Sequence, residues 1–195
     1  MGILAALLIA APPVLGKKKK SRDRDPEELF NPFLGVELSH WLVGPIQRIA
    51  TGDEVDAYLL ITSDDDARSF IEEFWARRAE GVGVFEKKPR QVYDERVLDA
   101  DKRFSEGANP GHLTDRGTVF VVFGEPEKVE FESGKQVGDP PTEAWEYPKD
   151  AGPGLGGEPP ERFYRFIEID GQVVAYNSQR LEQMRRRRLP EPDRF

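Results

Sequence analysis

Gly111-His112-Leu113-Thr114-Asp115-Arg116-Gly117-Thr118-Val119-Phe120-Val121-Val122-Phe123-Gly124-Glu125-Pro126 is the run on which any assignment of this chain's architecture depends. Thr118 to Phe123 is an unbroken series of β-branched and aromatic residues, which predicts a buried central strand. The residues before it then read as a turn feeding that strand. In that turn Asp115 caps backbone N–H groups, Gly117 takes a positive φ, and Thr114 bonds locally. Gly124-Glu125-Pro126 turns the chain out again.

Upstream of this run the periodicity is helical. Trp41, Leu42, Ile46 and Ile49 are spaced for one helix face within Ser39–Ala50, with Gly44-Pro45 bending or restarting the helix. Thr51 and Glu54 form a capping box ahead of a short helix through Tyr58–Leu60. Ser63 followed by Asp64, Asp65 and Asp66 opens a helix that runs to about Ala79, its carboxylates placed where the helix dipole favours them. Ala67, Phe70, Ile71, Phe74, Trp75 and Arg78 share a face of that helix. A further helix spans Pro89–Phe104, with Tyr93, Val97, Ala100 and Phe104 in one stripe.

Downstream the period becomes that of strands. Lys128–Phe131, Ala144–Tyr147, Arg162–Ile169 and Gln172–Tyr176 are expected strands, the last two joined by an Asp170-Gly171 hairpin turn. The Gly/Pro-rich stretch Asp150–Pro160 is expected to be a mobile loop. The fold class that results is α+β: N-terminal helices packed on a small, mainly antiparallel sheet of four to five strands.

The chain's 195 residues suit one domain with tails, and the 18 glycines and 16 prolines predict long loops. Cysteine is absent and there are two histidines, His40 and His112, so thiolate chemistry, disulfides and Cys- or His-rich metal sites are excluded. No metal and no cofactor is expected. Net charge is −8, and Lys17–Lys20 with Arg185–Arg188 hold eight of the 28 basic residues. The stretch between is strongly acidic and unsuited to nucleic acid.

The domain organisation expected is a signal peptide at residues 1–16, a charged linker at 17–37 and an α+β domain at 38–177. A basic C-terminal helix or tail follows at 178–195. Ile3–Leu15 is too short to span a bilayer and reads as the apolar part of an export signal, which places the protein in the periplasm or otherwise outside the cytoplasm. The alternative is a cytoplasmic chain with an apolar N-terminus.

Two stretches carry a family likeness. The first is Phe70-Ile71-Glu72-Glu73-Phe74-Trp75-Ala76-Arg77-Arg78. The second is Gly111–Gly117 with the apolar run and Gly124–Pro126 behind it. With Tyr93, Arg103-Phe104 and Glu143–Tyr147 in order between and after them, the chain resembles the GWxTD-domain family of bacterial proteins from about Trp41 to Tyr176. The family's Trp is His112 here. The resemblance implies an exported bacterial protein, often joined to other envelope modules, and implies no established reaction.

Two sites compete for chemistry. His112 and Asp115 are the candidate catalytic residues, an acid/base pair beside Thr114 with Arg116 holding an anion. Trp75, Arg77, Arg78, Thr114, Asp115 and Arg116 are the candidate binding residues, with Arg78 stacked on Trp75. The structural reading puts Asp115 in a buried pair with Arg77 or Arg78, the Gly111–Gly117 turn docking on the Phe70–Arg78 helix. Asp64–Asp66 lacks the glycine and distal glutamate of a calcium loop, and Gly152–Gly157 lacks the lysine of a phosphate loop.

The expected function is a non-enzymatic interaction or assembly module of the bacterial envelope whose partner is another envelope protein. Arg185, Arg186, Arg187 and Arg188 are available to anionic lipid. The alternatives are a hydrolase or transferase using His112 and Asp115, and a cytoplasmic binder of nucleic acid or an acidic partner through the basic ends.

Overall fold

The computed structural model describes residues 24–83, 86–134, 139–179, 181, 182 and 186. Part of the stretch expected as a linker, 17–37, is folded. A 3-10 helix at Pro26–Leu29 buries Leu29, and Leu34 is buried after it. Asn31 between them has no exposure at all. Its amide donates to the carbonyls of Tyr58 (3.0 Å) and Ile61 (2.9 Å), which is how a polar side chain is accommodated in a core. Packing therefore begins before residue 38, because two leucines and a fully satisfied asparagine offset the charges around them.

The N-terminal half is helical. α1 (Val36–Ser39) and α2 (Pro45–Ile49) are separate helices, so of the bend or restart expected at Gly44-Pro45 it is the restart that occurs. The break falls at Gly44, which has φ 81° and hands over to Pro45. α3 (Gly52–Leu59) starts on the Thr51–Glu54 capping box, with both reciprocal bonds formed. α4 (Asp64–Arg78) starts on Ser63, whose hydroxyl accepts from the Asp66 N–H. Leu42, Ile46, Ile49, Val55, Tyr58, Phe74 and Trp75 form the first core, where the Trp41 ring lies edge-on to Phe74 at 5.0 Å.

α5 (Pro89–Phe104) is followed by a 3-10 turn at Gly111–Leu113 and then by α6 (Asp115–Phe123). This corrects the expected central strand: Thr118–Phe123 is a helix. Thr114 is its N-cap, accepting from the Gly117 N–H at 3.1 Å, with Asp115 in the first turn and Gly124 (φ 84°) ending it. Gly117 is helical and is not among the positive-φ residues. The β-branched content opposes a helix, but every α6 residue from Gly117 to Val122 is buried. A helix apolar all round is stable when surrounded.

Val122 belongs to the first core. Val119, Phe120 and Val121 join a second one with Ala100, Phe104, Trp145, Tyr147 and Phe166.

The sheet is an antiparallel meander in the order β1 (Lys128–Glu132), β2 (Thr142–Glu146), β3 (Phe163–Ile169), β4 (Gln172–Ala175). Asp170 (φ 52°) and Gly171 (φ 80°) make the β3–β4 hairpin with both central residues left-handed. The helical face carries Trp145 and Phe166, and the opposite face carries Ile167 under Leu181. Gly152–Gly157 is docked rather than free-standing. The Leu155 N–H donates to the Val122 carbonyl at 3.1 Å, and Leu155 packs on the first core. The α6 C-terminus is thus covered from two sides, since Arg96 Nη1 also reaches the carbonyls of Val121 and Val122.

Candidate functional site

The segment Gly111–Gly117 runs from the turn after α5 into the first turn of α6, and its close approach is a property of two glycines. A Cβ on Gly111 would stand 1.9 Å from the Ala100 carbonyl oxygen, and one on Gly117 would stand 1.8 Å from the Gly111 carbonyl oxygen. Backbone therefore rests directly on backbone across α5, the turn and α6. Thr114 Oγ1 completes the arrangement by donating to the Gly111 carbonyl at 2.7 Å while accepting from Gly117 N–H.

His112 and Asp115 do not pair. The His112 backbone N–H and ring Nδ1 lie 2.9 and 2.7 Å from Asp101 Oδ1, so Nδ1, facing a carboxylate, carries the hydrogen. Burial alone would raise the Asp101 pKa. The His112 N–H and ring and the Gly111 N–H outweigh it and hold Asp101 below its ordinary value. Asp115 is committed elsewhere, its Oδ2 accepting from the Ala175 N–H of β4 at 2.6 Å.

Arg116 does not present itself to an anion. It lies between Glu106 (3.2 Å) and Glu143 (3.0 Å), all three side chains largely buried. Glu143 also accepts from Trp145 Nε1, and Glu106 from the Val173 N–H. The Arg116 Nε is buried without a hydrogen-bond partner. This triad ties the start of α6 to the loop after α5 and to two strands.

The expected pairing of Asp115 with Arg77 or Arg78 is corrected as well. The Gly111–Gly117 turn docks on α5, not on α4. Arg77 and Arg78 turn the other way, onto Glu54, at 3.1 and 2.7 Å. Arg78 lies over the Phe74 ring at 3.5 Å, not over Trp75, whose own neighbours are Phe74 and Tyr93. Arg78 also donates to the Ile49 carbonyl, so the pair clamps α4 to the end of α2 and the start of α3. Sequence reasoning missed Glu54 as a partner because it already had a role as the capping-box residue. A carboxylate with two oxygens serves both, Oε2 accepting from Thr51 N–H and from Arg78.

Burial would raise the Glu54 pKa. The Arg78 hydrogen bond and charge, the Thr51 N–H and Arg77 prevail and lower it from 4.5 to about 2. The folded value lies below the unfolded one. Ionised Glu54 therefore stabilises the fold above about pH 4.5, and that contribution is lost as pH falls towards 2, to a limit of about 3 kcal/mol. Urea midpoints between pH 6 and 2.5 are expected to fall more steeply for the unaltered chain than for Glu54→Gln. Parallel profiles would show that Glu54 has no such role.

Among the described residues no group of three or more His, Asp or Glu side chains is gathered as a metal would need. No described helix is long and apolar enough to cross a membrane. Of the basic C-terminal cluster only Arg186 is described, lying 3.4 Å from Glu182; Arg185, Arg187 and Arg188 lie outside the described residues. So does the 1–16 segment.

No curated protein and no solved structure matches the chain. A family model does, that of the GWxTD domain, over residues 31–153. Its start coincides with buried Asn31, and its range contains Ala100, Asp101 and Ser105, on which the Gly111–Thr114 run rests. The letters of the motif have physical meanings in this chain. Gly111 permits backbone contact with α5, Thr114 caps α6, and Asp115 closes a strand edge. His112, standing where the family has Trp, bonds to Asp101. On this match over more than half its length, the chain belongs to the GWxTD-domain family.

Proposed function

We propose that this GWxTD-domain protein is a non-enzymatic interaction or assembly module of the bacterial envelope, exported by its N-terminal segment and bound to another envelope protein. The observation that carries the reading is how the charged residues of the motif region are spent. His112 goes to Asp101, Asp115 to a strand N–H, Arg116 to two glutamates, and Arg77 and Arg78 to Glu54. Each contact joins two elements of the fold.

Proximity labelling in the native host, with the N-terminus of the mature protein sequenced, tests this. The expected result is a chain beginning near Lys17, outside the cytoplasm, with envelope proteins as its labelled neighbours. An intact Met1 in the cytosolic fraction with cytosolic neighbours would remove the proposal.

The rival hydrolase or transferase reading retains one supporting contact, the His112–Asp101 pair, which orients an imidazole as a general base is oriented. It predicts a turnover that His112→Ala abolishes while the melting curve stays near that of the unaltered chain. The interaction reading predicts no such turnover.

A further inference from the structure

The two edges of the sheet are treated differently. Tyr176 N–H donates inward to the Arg165 carbonyl, so Val173 and Ala175 of β4 point their N–H groups outward. Both are closed by carboxylates, Val173 by Glu106 and Ala175 by Asp115. At the other edge Tyr147 N–H donates to the Arg162 carbonyl, which turns Glu143 and Trp145 towards β3 and Thr142, Ala144 and Glu146 towards β1. In β1, Lys128, Glu130 and Glu132 therefore bond inward, and Val129 and Phe131 present their N–H and C=O groups outward. No described group closes them. Every residue of β1 is exposed, with Phe131 at 74% and Val129 at 47%. An apolar open edge of this kind is a template for another strand.

We infer that β1 pairs with β1 of a second copy of this chain, antiparallel about a two-fold axis at Glu130, to make a continuous eight-stranded sheet. The sequence is self-complementary in that register. Val129 stands opposite Phe131 of the partner twice over. The outward N–H and C=O groups of both residues meet in ladder bonds, and their side chains, on the helical face with Trp145, cover one another. Lys128 stands opposite the partner's Glu132 at both ends.

The central pair sets Glu130 against Glu130 of the partner subunit. It is offset by Lys128, which already lies 2.7 Å from Glu130 within one chain, and by the partner subunit's Lys128 on the diagonal. Glu132 is in turn held by Arg165, so the charges at the joint balance. Shifting the register by one residue would lose the Val129–Phe131 matches and expose them again. The inference stands whether or not the protein is exported.

The chain has no cysteine, so single engineered thiols report this geometry cleanly. Only the residue on the axis meets itself. Glu130→Cys in the full chain is expected to form a disulfide-linked dimer under mild oxidation. Lys128→Cys is expected not to, because its partner-chain counterpart lies four residues along the strand, about 13 Å away. Leu98→Cys, exposed on α5, serves as the collision control. Val129→Pro in the Glu130→Cys background removes only an outward N–H and is expected to abolish the cross-link with the circular dichroism unchanged. Should that proline unfold the chain, Phe131→Lys is expected to abolish the cross-link in its place. Cross-linking of Glu130→Cys no faster than of Leu98→Cys, or equally fast cross-linking of Lys128→Cys, would overturn the inference.

Discussion

Gly117→Ala is expected to destabilise the protein by about 3 kcal/mol or more. The new Cβ would lie 1.8 Å from the Gly111 carbonyl oxygen and 2.6 Å from its carbon, and neither atom belongs to a side chain that can rotate away. Gly111 is itself pressed on Ala100, so the turn has no free direction in which to yield. Relief would require separating α6 from α5, which opens the second core around Phe104 and Phe120. Gly152→Ala is the matching control. Its Cβ would meet nothing within 4 Å and its φ is ordinary, so a change below about 0.5 kcal/mol is expected. Urea unfolding of the two variants checks both values. A Gly117→Ala midpoint equal to that of Gly152→Ala would mean that the helices are not in backbone contact.

The second large effect is expected at Arg116. Arg116→Met leaves Glu106 and Glu143 facing each other, largely buried, without their shared cation. Breaking such a group from one side costs about 3–5 kcal/mol. The same logic predicts recovery. Glu143→Gln and Glu106→Gln remove the stranded charges while keeping acceptors for Trp145 Nε1 and the Val173 N–H. Added to Arg116→Met, they are expected to restore part of the loss, because residues in one network do not add. A loss under 1 kcal/mol for Arg116→Met, or a triple variant that is the sum of its parts, would show that the triad is not coupled. The orphaned Arg116 Nε makes the cation's own desolvation a cost, and this is why replacing the whole charged triad by uncharged residues is the informative comparison.

The parts of this fold that were legible in the sequence are those decided within a few residues. The Thr51–Glu54 box, the Ser63 cap and the Asp170-Gly171 hairpin are each a local bargain between side chain and backbone, and each formed as read. The four antiparallel strands followed from alternation and turn residues. The helix at Asp115–Phe123 was misread because a short, fully buried helix and a buried strand present the same continuous apolar run. The arbitrating signals were present at its ends. They were Thr114 and Asp115 at the start and Gly124 at the stop, but Thr114 and Asp115 had been assigned to a turn.

The pairings of the candidate site were beyond local reading for another reason. Arg78 meets Glu54, Asp115 meets Ala175 and Arg116 meets Glu143 across intervals that only the tertiary arrangement sets. The expected Asp115–Arg78 pair rested on the correct premise that a carboxylate near a core needs a donor. It failed because one backbone N–H of an otherwise open strand edge, that of Ala175, supplied the donor.

The stretch on which everything else depends can be examined directly. Backbone carbon chemical shifts for residues 115–123 distinguish a helix from a strand without reference to any contact. The α6 assignment predicts helical Cα shifts from Asp115 through Phe123, ending at Gly124, with slow amide exchange for the buried residues Val119 to Val122. Strand-like shifts across Thr118–Phe123 would contradict it, and with it the cap at Thr114, the backbone contact at Gly117 and the structural roles assigned to the motif.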